Sequence, residues 1–272
     1  METKINLAVT AFFCALFSLP ATADLILTAP PRESVARGEE LYGPLAAILT
    51  TQLGQTVVYA RARDWIEYST QMKQDKYDIV FDGPHFAAWR IKHLGHTPVA
   101  KLPGELSFVV VSRKDDKTQN RMRDLINAPL CAQASPNLGT MAVLAQFTNP
   151  LIQPDLYEVA NVTEVYELFK NGKCKAALFQ DKFLNKLPVE EKSKLKVMFT
   201  SSRYPDQTVT VSKRVTDRQR VVLAELLTRP SGIAATQELL KQYTKQAKRF
   251  DPVTPQEFAG LEALLEGVLW GW

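Results

Sequence analysis

The sequence predicts an α/β fold, in which helices pack on largely parallel sheets. Short runs that favour β-strands alternate with longer segments whose apolar residues recur at helical spacing, from residue 24 onward. No internal repeat interrupts this alternation, and no Gly/Ser-rich linker divides it. About 250 residues follow the apolar N-terminal segment, which is enough for one large domain or two medium ones, each with its own core.

The first half of the chain is predicted to form four strands and three helices. The helical spacing of leucines over 41–53 ends at Gly54, the residue type that most often terminates a helix. Asp64, with Glu67 three residues later, is typical of a helix N-cap. The predicted strands span 24–29, 56–60, 79–81 and 107–112, and the predicted helices span 38–53, 64–73 and 85–94.

The second half is predicted to continue the same alternation and to end in a helix. Thr254, Pro255 and Glu257 form the clearest helix start in the chain, because they combine an N-cap, a first-turn proline and a capping-box glutamate. The apolar side of that helix is Leu261, Leu264, Leu265, Val268, Leu269 and Trp272, which we expect to pack on the domain. The predicted strands span 129–133, 156–159, 174–179, 195–199 and 208–212, and the predicted helices 138–147 and 162–170.

The N-terminus is predicted to be a cleavable signal peptide covering residues 1–23. Lys4 precedes an apolar run over 5–19, and small residues stand at 21 and 23, where a signal peptidase reads. The run is shorter than the roughly 20 residues that span a bilayer. We therefore expect an exported mature chain that begins at Asp24.

The charge balance excludes a nucleic-acid footprint. Lys and Arg total 33 against 29 Asp and Glu, for a formal net charge of +4 at pH 7. The excess is spread along the chain without a block of five like charges. It is typical of a solvated surface with a slight preference for anions.

Two cysteines, Cys131 and Cys174, remain after removal of the signal peptide. An even number of cysteines in an oxidising compartment favours a disulfide, and each cysteine falls in a predicted strand. The alternative is a pair of buried free thiols.

Three loops that follow predicted strand ends are the candidate ligand-binding segments: residues 30–34, 82–86 and 134–140. In the third loop, Ser135, Asn137 and Thr140 add side-chain donors to the free N–H groups of a helix N-terminus, a combination that suits an oxyanion. The alternative is that Ser135 or Asn137 simply caps an ordinary helix.

The other two loops add one cation and one carboxylate. Arg32 offers a bidentate partner for an oxyanion, although an ordinary surface arginine explains it equally. Asp82 suits an anion that carries a proton, because a carboxylate accepts a hydrogen bond from a protonated oxyanion; otherwise Asp82 is a turn residue before Gly83.

Two enzymatic or metal-binding alternatives are weaker. His85, His93 and His96 lie in one short stretch, which raises a zinc site, but no cysteine lies nearby. A hydrolase built from Ser135, His85 and Asp82 lacks a nucleophile-elbow pattern. We expect no metal, no cofactor and no catalytic residue.

Several motifs together resemble the phosphate/phosphite/phosphonate-binding periplasmic receptors. They are PPRES at 30–34, LYGPL at 41–45, YDIVFDGPHF at 77–86, SPNLGT at 135–140 and NGKC at 171–174. The resemblance covers nearly the whole mature chain. One departure is Pro136, which stands in a run where these receptors usually have Ser-Thr-Ser and which removes a backbone donor.

The resemblance implies a type II periplasmic binding fold, with two α/β lobes joined by a two-strand hinge around a ligand cleft. It implies a first lobe of residues 24–110 and 205–272 and a second lobe of 111–204, with chain crossings near 107–113 and 200–207. The implied cleft residues are Tyr42, Asp82 and His85 from the first lobe and Ser135, Asn137, Gly139, Thr140 and Asp181 from the second.

The predicted function is therefore that of a periplasmic, monomeric solute-binding protein for a small oxyanion, delivering it to an inner-membrane ABC permease. The alternative is a periplasmic sensor subunit that presents the bound anion to a membrane histidine kinase. Both bind the anion in the same way and differ only in the membrane partner.

Overall fold

The computed structural model of the protein describes residues 23–149, 151–244 and 247–266. The predicted signal peptide lies outside these ranges, apart from its last residue. No helix within them is long and apolar enough to cross a membrane.

The described part of the chain contains twelve strands and nine α-helices. The strands are β1 Leu25–Thr28, β2 Val57–Tyr59, β3 Ile79–Asp82, β4 Thr97–Lys101, β5 Glu105–Leu106, β6 Phe108–Arg113, β7 Pro129–Gln133, β8 Asp155–Val159, β9 Ala176–Gln180, β10 Leu195–Thr200, β11 Tyr204–Pro205 and β12 Thr208–Val211. The helices are α1 Val35–Leu53, α2 Trp65–Lys73, α3 Pro84–Leu94, α4 Leu138–Leu144, α5 Val162–Lys170, α6 Asp181–Lys186, α7 Val189–Ser193, α8 Asp217–Thr228 and α9 Ile233–Tyr243.

The strands form two five-stranded sheets of the same design. The first has the order β2-β1-β3-β12-β4, and the second has the order β10-β6-β9-β7-β8. In each sheet four strands run in one direction, and one strand, β12 in the first sheet and β6 in the second, is inserted antiparallel between two of them. The carboxyl ends of the parallel strands are therefore the natural ligand-facing edge of each sheet.

A two-stranded sheet of β5 and β11 lies between the two lobes. Leu106 pairs with Tyr204 and Glu105 with Pro205, antiparallel. This pair confirms the predicted two-strand hinge. Residues 107–113, the expected outgoing crossing, belong mainly to β6 of the second sheet.

The hinge strands bear directly on the expected lobe limits. The expected boundary at 110/111 falls inside β6, and the boundary at 204/205 falls inside β11. We propose that the second lobe instead spans 107–203, since both of its limits then coincide with the hinge.

Each lobe has its own apolar core. In the first lobe, Leu27, Phe81 and Phe250 are fully buried between α1, α8 and the sheet. In the second, alternate residues of β6 face opposite sides, so that Val110 packs in one cluster and Val109 and Val111 pack in another. Helices therefore cover both faces of the second sheet.

The predicted disulfide is confirmed. Cys131 on β7 and Cys174, just before β9, are bonded, with their Cα atoms 5.7 Å apart. β7 and β9 are parallel neighbours, and both cysteines are buried. The bond therefore links adjacent segments of the second lobe.

Local caps explain where the helices begin and end. Ser34 accepts the N–H of Arg37, which starts α1 three residues before the predicted position. Gly54, at a φ of 63°, ends α1 as predicted. Asp64 accepts the N–H of Glu67 at 2.8 Å and caps α2 as predicted.

The predicted C-terminal helix is wrong as an α-helix. Thr254 and Glu257 do form the expected capping box, but only a short 3₁₀ turn, Pro255–Phe258, follows it. Gly260, with a φ of 85°, then separates a second turn, Leu261–Leu264. The predicted apolar positions Val268, Leu269 and Trp272 lie outside the described residues.

Two further differences have local causes. β4 is absent from the predicted elements; it contains Pro98, which is tolerated because β4 lies at the edge of the first sheet, next to β12. The predicted helix over 138–147 ends at Leu144.

Candidate functional site

The candidate site lies where the carboxyl ends of the strands of the two lobes meet. His85, in the first turn of α3, reaches across from the first lobe, and its Nε2 lies 2.9 Å from the carbonyl oxygen of Pro136 in the second lobe. His85 is 1% exposed. The two lobes are therefore in direct contact at this point of the cleft.

His85 is neutral at neutral pH. Burial lowers the pKa of His85 to about 3, a shift that the carbonyl of Pro136 opposes and the charge of Arg32 reinforces. A carbonyl oxygen only accepts, so Nε2 carries the proton and donates it to Pro136. Nδ1 is then a bare lone pair, and it has no hydrogen-bond partner among the described residues.

Gly83, the N-cap of α3, provides the space beside that ring. A Cβ placed on Gly83 would lie 2.8 Å from Cε1 and 3.0 Å from Nδ1 of His85. The same point lies 3.7 Å from Nη2 of Arg32. The glycine backbone has a φ of −67°, so its role is spatial and not conformational.

Arg32 is the cation of the first lobe at the cleft. It is exposed, and its Nη1 donates to Oε1 of Gln207 at 3.1 Å. Arg61 stiffens the loop that carries it, donating from Nε to the carbonyl of Glu33 at 2.8 Å. Arg32 forms no ion pair with a carboxylate in the described part of the chain.

Asp82 belongs to a buried polar network, in which its Oδ2 is engaged and its Oδ1 has no hydrogen-bond partner among the described residues. Its Oδ2 accepts from the hydroxyl of Tyr68 at 2.6 Å and from Nε of Arg90 at 3.3 Å, and all three residues are fully buried. Burial raises the pKa of Asp82, while the charge of Arg90 and the hydroxyl of Tyr68 oppose that rise. Arg90 thus neutralises the carboxylate below the cleft.

Tyr42 lies in the core of the first lobe, 2% exposed. Its ring stacks on Tyr59 with centroids 5.0 Å apart, and its hydroxyl hydrogen-bonds to Tyr243. Burial raises the pKa of Tyr42 well above its ordinary value. Tyr42 therefore packs in the apolar core of the first lobe.

The loop over residues 135–140 already uses many of its hydrogen-bond donors for contacts within the second lobe. The N–H and the hydroxyl of Ser135 both donate to Oε1 of Glu158, at 3.0 and 2.7 Å. Asn137 caps α4 by accepting the N–H of Gly139 at 2.9 Å. The hydroxyl of Thr140 donates to the carbonyl of Gln133 at 2.6 Å.

Gly139 has a packing role. A Cβ on it would lie 2.4 Å from the ring of Phe108, so the glycine lets α4 approach the first residue of β6. Together with the caps just described, this contact makes the loop a rigid wall of the cleft. It leaves few donors for a ligand.

Asp181 begins α6 at the end of β9. Its N–H donates to the carbonyl of Ser107 beside the hinge, and its Oδ1 accepts the N–H of Lys182. Nζ of Lys182 lies 3.9 Å from a Cβ placed on Gly104, at the outgoing crossing. This end of β9 therefore borders the hinge.

The structure does not assemble the zinc or hydrolase alternatives. His93 pairs with Glu266 and His96 with Asp75, so the three histidines have separate partners. No group of three or more potential metal ligands occurs among the described residues. Ser135 bonds to Glu158 instead of to His85.

A sequence model of the periplasmic substrate-binding proteins of phosphonate ABC transporters matches residues 27–258. The chain belongs to this family. Members of the family are periplasmic binding components of ABC transporters and not catalysts. No curated protein sequence matches the chain significantly.

Solved structures share the type II periplasmic binding fold at low sequence identity. XAC2383 of Xanthomonas citri, bound to ATP, is 13% identical with a TM-score of 0.70, over 90% of this chain and 97% of that one. PhnD1 of Prochlorococcus marinus, in complex with methylphosphonate, is 16% identical with a TM-score of 0.61, over 89% and 96%. A binding protein component of a Pseudomonas aeruginosa phosphonate transporter is 17% identical with a TM-score of 0.58, over 89% and 85%.

Sequence reasoning missed the residues that hydrogen-bond to the predicted site residues. Arg90 is the clearest case, since an arginine among the apolar residues 86–91 is a signal of burial with a charged partner. Glu158 and Gln207 gave no comparable signal. Their positions opposite Ser135 and Arg32 depend on strand pairing and on the return crossing.

Proposed function

We propose that this protein is a periplasmic solute-binding protein for a small oxyanion of the phosphate, phosphite or phosphonate type, which it delivers to an ABC permease. The observation that carries the proposal is Arg32, a cation without a carboxylate partner in the described part of the chain, beside the cross-lobe contact of His85. An exposed cation at the cleft with no carboxylate partner among the described residues favours an anionic ligand.

The signal peptide over residues 1–23 belongs to the same proposal, because a binding component must be exported before it meets its ligand. The chain would act as a monomer that closes around the anion. Within the cleft, Arg32 supplies the charge and the loop over 135–140 supplies the opposing wall. The backbone N–H groups of Leu138 and Thr140 are the donors of that wall with no hydrogen bond to other described residues.

A thermal-shift panel tests the proposal. The panel contains phosphate, phosphite, methylphosphonate, aminoethylphosphonate, arsenate, sulfate and simple carboxylates. A ligand at 100 times its Kd stabilises the folded state by about 2.7 kcal/mol, which is a readily measured increase in Tm. If no oxyanion raises the Tm, the proposal is wrong.

The cation is tested by Arg32→Gln, measured by isothermal titration with the anion that gives the largest shift. Loss of a charge-assisted contact is expected to weaken binding by at least tenfold, on the order of 1.5 to 3 kcal/mol. Arg218→Gln, at an exposed position in the first turn of α8, is the matched control with unchanged affinity. If both variants bind the anion with equal affinity, Arg32 is not part of the binding site.

A further inference from the structure

Three residues of the first lobe define a small polar space that we call the Gly83 floor: Arg32, Gly83 and His85. Nη2 of Arg32 and Nδ1 of His85 lie 3.7 and 3.0 Å from the point where a Cβ of residue 83 would stand. Nη2 of Arg32 is a charged donor, and Nδ1 of His85 is an acceptor. The two atoms therefore border the same space and can bind different groups of one ligand.

The acceptor is the informative member of this pair. Nδ1 of His85 is buried and has no partner in the described part of the chain, while Nε2 is committed to Pro136. Leaving a buried acceptor without a donor is energetically unfavourable. Such an atom at a cleft indicates that a ligand supplies the missing hydrogen.

We propose that the Gly83 floor selects an oxyanion that carries one proton and one negative charge, with its charged oxygen on Arg32 and its hydroxyl donating to Nδ1 of His85. This inference rests on the proposed function, and it adds the protonation state of the ligand. The dianion of phosphite or of a phosphonate has no hydrogen to donate to Nδ1, so its oxygen lone pairs would face the lone pair of that nitrogen.

Asp82 carries a second unpaired acceptor: Tyr68 and Arg90 engage its Oδ2, while its buried Oδ1 has no hydrogen-bond partner among the described residues. We assign the hydrogen of the ligand to Nδ1 of His85 because that nitrogen borders the Gly83 floor beside Arg32, whereas the carboxylate is already neutralised by Arg90. The charged and titratable groups around His85 are thus Arg32 from the β1–α1 loop, Asp82 from β3, Arg90 from the same helix and Tyr68 from α2. Across the cleft, the atom that faces His85 is the carbonyl of Pro136.

The first test is the pH dependence of affinity. Isothermal titration with phosphite and methylphosphonate between pH 5.5 and 8.5 covers the range in which each loses its second and last hydroxyl proton, as followed by ³¹P NMR of the free anion. His85, with a pKa of about 3, stays neutral throughout. We expect the Kd to rise about tenfold per pH unit above the second ionisation of the ligand, and sulfate to bind at least tenfold more weakly.

The second test is a matched pair of variants. His85→Gln retains an N–H near the Nε2 position for Pro136 but removes the acceptor, whereas His85→Asn retains an acceptor near Nδ1 and loses the cross-lobe bond. We expect His85→Gln to weaken binding at least tenfold and to abolish the pH dependence. His85→Asn should keep the pH dependence.

Filling the space is the third test. Gly83→Ala adds a methyl group beside the two polar atoms, at a backbone conformation that alanine adopts freely, and this methyl displaces the His85 ring. We expect a folded protein with at least tenfold weaker binding. Thr51→Ala, at an exposed position of α1, is the control.

The outcomes separate the two proposals. If no anion of the series binds at any pH, the proposed function fails and the Gly83 floor fails with it. If anions bind with pH-independent affinity, or if His85→Gln keeps the wild-type pH profile, only the Gly83 floor is overturned.

Discussion

Asp82 and Arg90 show how the environment of a single residue sets its role. An unpaired carboxylate would repel an anion, yet here the carboxylate and the guanidinium are both fully buried and 3.3 Å apart. Tyr68 bridges them, accepting from Arg90 at 2.9 Å and donating to Asp82 at 2.6 Å. The ion pair keeps the region below the cleft close to electrically neutral.

Removing one partner of this ion pair should be more damaging than removing both. Arg90→Met leaves a buried, uncompensated carboxylate, and we expect a loss of about 3 to 5 kcal/mol in the free energy of unfolding, measured by urea denaturation. Asp82→Asn/Arg90→Met should recover part of that loss. A double variant less stable than Arg90→Met would contradict a charge-based explanation.

Acid should destabilise the protein through its buried histidines. Burial lowers the pKa of His85 from 6.5 to about 3, and burial followed by the charge of Arg90 lowers that of His96 to about 4. The unfolded chain therefore binds protons below pH 6.5 that the folded chain does not, and stability falls as the pH decreases from 6.5 toward 3.

Each such histidine contributes a slope of at most about 1.4 kcal/mol per pH unit. His85→Gln should flatten the decline in unfolding free energy between pH 6.5 and 4, as measured by urea titration at each pH. His93→Gln, at a half-exposed position, is the control. A variant with the wild-type slope would show that His85 titrates normally.

At the scale of elements, the approach of α4 to β6 forms the second-lobe wall of the cleft. It depends on Gly139, because a Cβ there would overlap the ring of Phe108. The ring belongs to the first residue of β6, Phe108, which is 4% exposed, so the ring has little freedom to move away. The positions of α4, of β6 and of the adjoining hinge are thus coupled through this contact.

Gly139→Ala is expected to destabilise the protein by about 1 to 3 kcal/mol through overpacking. Thr51→Ala, at an exposed position of α1, should instead stabilise by up to about 0.7 kcal/mol through helix propensity. Thermal unfolding of the two variants measures this difference in sign. A Gly139→Ala variant with unchanged thermal stability would show that the Phe108 ring can move aside.

For the whole molecule, the C-terminal segment adds a connection between the lobes besides the hinge. Leu265 is buried in a first-lobe cluster with Tyr68 and Phe86. Its neighbour Leu264 packs against a second-lobe cluster that contains Leu138. The two side chains therefore attach one turn of backbone to both lobes.

Leu264→Ala is expected to favour lobe opening without a ligand. Spin labels on Ile66→Cys and Thr163→Cys, at exposed or half-exposed helix starts in opposite lobes, should report a longer or broader distance distribution in this variant. Leu265→Ala should lower the Tm, because it leaves a cavity in the first lobe. Identical distance distributions would mean that the hinge alone sets the closure.

The sequence by itself determined the α/β class, most element positions, the helix caps and the Cys131–Cys174 pairing. These depend on contacts between residues near in sequence, or on chemistry that residue type alone dictates. The cap at Asp64 and the helix end at Gly54 are of this kind.

The tertiary structure decided which polar groups of the candidate site are free. Ser135 satisfies Glu158, 23 residues away, and Asp82 is neutralised by Arg90, whereas Nδ1 of His85 remains unpaired in the described part. The hinge position also required the pairing of Leu106 with Tyr204, which are far apart in sequence. A local pattern identifies donors and acceptors, but only their three-dimensional placement determines which of them are already satisfied.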